Sequence, residues 1–153
     1  MWRNPYSEYG FAIFEDVVAH VRQAYDLPKW DPLFSMDLQN SKATSIGGWI
    51  PAERRPFVHV AIVPMSCGRY EFAEYAAFAT DAVIGEFQTS SWKKIVMALT
   101  CHEASHALQY TPGVLGRLRT AHGGEAANDS SAHGKRWRAI YRDLRVRFVN
   151  SME

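Results

Sequence analysis

The chain is short of cysteine, of net charge and of long apolar runs, and each shortage narrows what it can be. Two cysteines in 153 residues, Cys67 and Cys101, are too few for a disulfide framework and form no CxxC pair. A structural zinc ribbon is excluded, and both thiols read as core residues. A formal net charge of +1 argues against a nucleic-acid footprint spread over the whole molecule. No uncharged apolar stretch approaches the roughly 20 residues that a membrane-spanning helix needs. The opening residues, MWRNPYSEYG, lack an apolar h-region, so the expected location is the cytoplasm. Repeats, low-complexity tracts and dividing linkers are missing as well, and a single domain over 1–153 is expected.

What is present suffices for one core: hydrophobic residues make up 47% and charged residues 22%, a balance that rules out disorder. From Tyr6 to Asp26 the apolar residues Phe11, Phe14, Val17, Val18, Val21 and Tyr25 follow helical spacing until Pro28, with His20 off the stripe on a solvated face. Leu33 to Ile50, rich in polar residues and punctuated by Gly47-Gly48, reads as one or two strands. Phe57 to Val63 is a β-branched run between prolines and reads as a buried strand, with His59 as a packed or edge residue. Between Gly68 and Gln88 the pattern is ambiguous: EFAEYAAFA suits a helix and AVIGEF a short strand. Ser90 or Ser91 can cap a helix carrying Trp92, Ile95, Val96 and Leu99, which Pro112-Gly113 must end. A glycine-rich loop leads to a last helix from Lys135, with Trp137, Ile140, Tyr141, Leu144 and Phe148 on one face. The expected class is α+β, with helices packed on a small antiparallel sheet.

Chemistry concentrates in Cys101-His102-Glu103-Ala104-Ser105-His106, an HExxH motif. Four residues apart on a helix, His102 and His106 share a face and can reach one metal ion. Glu103 sits beside that point, where it can accept a proton from water. The apolar stripe continues from Leu99 onto these residues, so the motif points into the domain. A hydrolytic zinc site needs a third protein ligand and an open fourth position. A histidine six positions after His106 would complete a compact metzincin pattern, but Pro112 stands there. His133, Glu125 and His122 remain. His133 opens the last amphipathic helix, whose packing would hold it firmly; Glu125 and His122 belong to the loop. Tyr141, Arg142 and Tyr110 have the right chemistry to stabilise an oxyanion or hold substrate. Between Arg117 and Arg147 eight basic residues face three acids while the rest of the chain is net acidic, so the last helix offers a DNA or other polyanion contact.

HEASHALQ followed by HGKRWRAIYRDLR resembles the SprT-like metalloproteases, whose pattern is HExxHA on one helix and HGxxF/W before the next. The ending IYRDLRVRFVN is similar to the short SprT-like proteins of phages and bacteria, which lack the C-terminal zinc ribbon of better-known members. The resemblance is specific from Trp92 to Asn150. It implies a zincin fold, one zinc ion bound by His102, His106 and His133, and Glu103 as general base. It further implies residence in the cytoplasm (of the host, if the chain is phage-encoded). The expected function is zinc-dependent endopeptidase action on protein or peptide substrates. The alternative is a non-proteolytic zinc-binding module for nucleic acid or protein partners.

Overall fold

The computed structural model of the protein describes residues 5–38, 44–62, 69–74, 76–114, 117 and 131–152. Cys67, His122 and Glu125 lie outside them. The first apolar stripe forms helix α1, Pro5–Ala24, burying Ile13, Phe14, Val17, Val18 and Val21. Pro5 stands at its start, where the missing N–H would have no helical partner. His20 leaves the solvated face expected of it: its Nε2 lies 2.9 Å from Asp143 Oδ2, and its ring packs edge-on against Phe148.

Strand β1 is Leu33–Leu38 and β2 is Ile46–Ile50. Strand β3, Arg55–Ile62, alternates as a strand with one buried face should, turning Pro56, Val58, Val60 and Ile62 inward. The strand order is β1-β3-β2. Strands β2 and β3 form an antiparallel pair, whereas β1 runs parallel to β3, from Leu33 opposite Phe57 to Leu38 opposite Ile62. The sheet is therefore mixed, because the chain reverses twice between β1 and β3.

The ambiguous stretch resolves into β4, Tyr70–Phe72, a single 3-10 turn at Ala76–Phe78, and β5, Phe87–Thr89, paired antiparallel with β4. Among the described residues, neither the EFAEYAAFA helix nor an AVIGEF strand forms. Asp81 Oδ1 accepts from the backbone N–H groups of Val83 and Ile84 at 2.7 and 3.0 Å, which bends that segment into a turn.

Helix α2, Trp92–Gln109, starts at Ser91, whose Oγ accepts from the Lys94 N–H at 3.3 Å. It is buried on nearly every side from Ile95 to Gln109, since β2 and β3 cover one flank and α1 and the last helix the others. Cys101 is one of its core residues, as expected. Helix α3, Lys135–Leu144, buries Trp137, Ile140, Tyr141 and Leu144, then widens into a π-helical turn at Arg145–Val149. Arg145 departs from the expected arginine face. It is 4% exposed and points into the protein.

Candidate metal centre

Helix α2 carries His102 and His106 one turn apart, and the turn before α3 brings His133 to them. Candidate ligand atoms of the three lie within 4.8 Å of one another. One ring packs against all of them. Trp137, fully buried, has its centroid 4.8 Å from that of His102, 5.2 Å from His106 and 4.7 Å from His133. Its indole N–H also approaches the His102 carbonyl at 3.4 Å. A single wall thus restricts all three imidazoles, the kind of packing that holds a constellation in place.

The far nitrogens are engaged as well. His102 Nδ1 lies 3.1 Å from Glu74 Oε1, and His106 Nδ1 lies 2.8 Å from Gln109 Oε1. An acceptor at Nδ1 fixes the proton there and leaves the Nε2 lone pair free for a metal. Gln109 does more. Its amide N–H donates to the Ser131 carbonyl at 3.1 Å, and that carbonyl also accepts from the Gly134 N–H at 3.0 Å. The turn bearing His133 is thereby tied to His106. Burial pushes His106 down to about 4 and lowers His133, so both rings are neutral at pH 7, the form that ligates. Three imidazoles, two of them with fixed tautomers offering Nε2, form a donor set compatible with zinc.

Glu103 is 7% exposed. Burial pushes its carboxyl up to about 7, Glu74 adding to the rise while His102 and a hydrogen bond from the Gly47 N–H oppose it. A carboxyl in that range is matched to taking up and returning a proton near neutral pH. Gly47 reaches it because β2 lies directly on α2: a Cβ at Gly47 would overlap the Glu103 carbonyl. Beside Glu103 and His102 opens a cleft of about 540 Å³, walled by Ile62, Tyr70, Phe72, Ile95 and Leu99.

The structure brings together His102, His106, His133 and Glu103. Tyr141 has its ring centroid 5.2 Å from that of His102 but is fully buried. Its hydroxyl accepts from Arg145 at 3.0 Å and bonds Glu74. Arg142 is turned to Asp81 at 3.1 Å, and Tyr110 is exposed just beyond α2. Glu74, Gln109 and Gly47 went unread in the sequence. Gln109 follows His106 by three positions on one helix face, a spacing that could have flagged it. Glu74, one of two acids in an aromatic stretch, carried a fainter signal.

No family model, curated protein or solved structure matches this chain.

Proposed function

We propose that the protein is a zinc-dependent endopeptidase of SprT-like character, binding one zinc ion through His102, His106 and His133. The observation that carries this reading is the convergence of three imidazoles, two from α2 and one from the turn before α3, beside a buried glutamate whose carboxyl is pushed up to about 7. When bound, zinc supplies a Lewis acid that polarises the scissile carbonyl and acidifies a water molecule. Glu103 takes the proton released as water attacks the carbonyl carbon, then delivers it to the leaving amine as the C–N bond breaks. The Gly47 N–H holds the Glu103 carboxyl group in place for those two transfers.

Strand β2 is a sheet edge in contact with Glu103, so an extended substrate segment aligned along it brings a peptide bond to the base. Main-chain pairing of this kind tolerates many sequences. The neighbouring cleft adds a preference for an apolar substrate side chain. DNA contact through α3 is left to a thinner face than the sequence suggested, since Arg145 is buried and Arg142 is paired with Asp81.

The test is zinc content together with hydrolysis of an unfolded protein. The purified chain should hold about one zinc ion, and Glu103→Gln should keep the metal while turnover falls by about 10²–10⁴-fold. A variant that binds zinc and still cuts at the native rate removes Glu103 from the chemistry. A native chain that binds zinc and cuts nothing is the non-proteolytic module instead.

A further inference from the structure

Two charged side chains lie buried behind the histidines, and the hydrolytic reading gives neither a task. Glu74, just after β4, has a side chain 1% exposed; that of Arg145, at the start of the π-helical turn, is 4% exposed. Burying a charge is costly unless it is paired and hydrogen-bonded. They form an ion pair, Arg145 Nη1 lying 3.6 Å from Glu74 Oε2, beyond hydrogen-bonding distance, and Arg145 also donates to the Tyr141 hydroxyl, the Gly85 carbonyl and Asn150 Oδ1. The other Glu74 oxygen is spent on His102 Nδ1 at 3.1 Å.

We propose that Glu74, held by Arg145 and the Tyr141 hydroxyl, is the positioning residue of the metal centre: its carboxylate fixes the tautomer and orientation of His102 and supplies the buried negative charge that favours a divalent cation on three imidazoles. This rests on the metal-binding reading above. A pair serving packing alone would not need an oxygen aimed at a ligand's far nitrogen. The asymmetry with His106 is informative, because its Nδ1 meets a neutral amide. One ligand is thus made more basic by a carboxylate, and the other is only oriented.

The experiment is zinc affinity by competition with a chromophoric chelator, alongside thermal unfolding and the visible spectrum of the Co²⁺-loaded protein. Glu74→Gln keeps the side chain's shape and removes its charge. Zinc affinity should fall by about 10–100-fold, with one metal ion still bound at saturation and an unchanged Co²⁺ band. Should the unpaired Arg145 unfold that variant, the double substitution Glu74→Gln/Arg145→Met removes both charges together, and the same loss is expected of it. A folded variant with affinity within twofold of the native chain overturns the proposal. So does a Co²⁺ spectrum showing a lost ligand, which would make Glu74 a ligand itself. A native chain that takes up no zinc overturns the metal reading, and this inference falls with it.

Discussion

The helices and the strands serve the centre differently. Among the described residues, helix α2 and the turn before α3 supply the three imidazoles that could hold a metal ion, and α2 also carries the buried Glu103. The strand side supplies what touches those groups: Gly47 of β2 against Glu103, Glu74 after β4 against His102, and the apolar wall of the cleft. The helical contribution is a matter of spacing along one chain segment. The strand contribution depends on where segments distant in sequence come to rest. Chemistry and positioning are thus divided between the two halves, and that division can be tested.

The largest effect is expected on the helical side. His102→Ala, His106→Ala or His133→Ala should each empty the site, because two imidazoles hold zinc poorly, and elemental analysis after dialysis reads this directly. Glu125→Ala should leave zinc content unchanged. If it empties the site while His133→Ala does not, the third ligand comes from the loop and the division fails.

Gly47→Ala probes the strand side where it approaches most closely. The added methyl meets the Glu103 backbone, which cannot rotate away, so a loss of about 3 kcal/mol in unfolding free energy is expected. Activity should fall further than stability explains, since Glu103 moves with the helix. Unchanged stability and turnover would mean that β2 only covers the site.

A smaller effect should follow from filling the cleft. Leu99→Trp narrows it beside Glu103 and should cut cleavage next to large apolar residues by about 10–200-fold relative to small ones, as read from cleavage-site maps of an unfolded protein. A uniform drop over all sites would show that the cleft does not select.

The smallest lies in the turn ahead of β5. Hydrogen bonds from the Ile84 and Val83 N–H groups hold the Asp81 carboxyl down at about 2, with help from Arg142. A depressed carboxyl stabilises the fold above its ordinary range and stops doing so as pH falls through about 2. Asp81→Ala should therefore cost about 1 kcal/mol at neutral pH and progressively less in acid, measured by denaturant unfolding. An equal cost at both extremes would put the effect down to packing.

The same division explains what could be read in advance. The Ser91 cap, the HExxH turn and the face carrying Trp137, Ile140 and Leu144 are local patterns of period 3.6, and they appear where the sequence puts them. Glu74 could not be read that way, because its meaning lies in residues 28 and 71 positions further on. Gly47 falls in the strand expected around it, but nothing in the sequence showed that it has no room for a side chain. His20 looked solvated because Asp143, its partner, lies 123 residues away.

The Glu74–Arg145 pair has one more consequence, for where the chain can be cut short. A protein ending at Leu144 keeps His102, Glu103, His106 and His133, and a comparison of motifs would count it intact. It loses Arg145, and with it the countercharge of a carboxylate in the interior, along with buried Val149. Stranding a charge in this way costs about 3–5 kcal/mol, a large share of what holds a domain of this size together. The last nine residues, remote from the motif on paper, thus set the shortest version of this protein able to keep its interior charges paired.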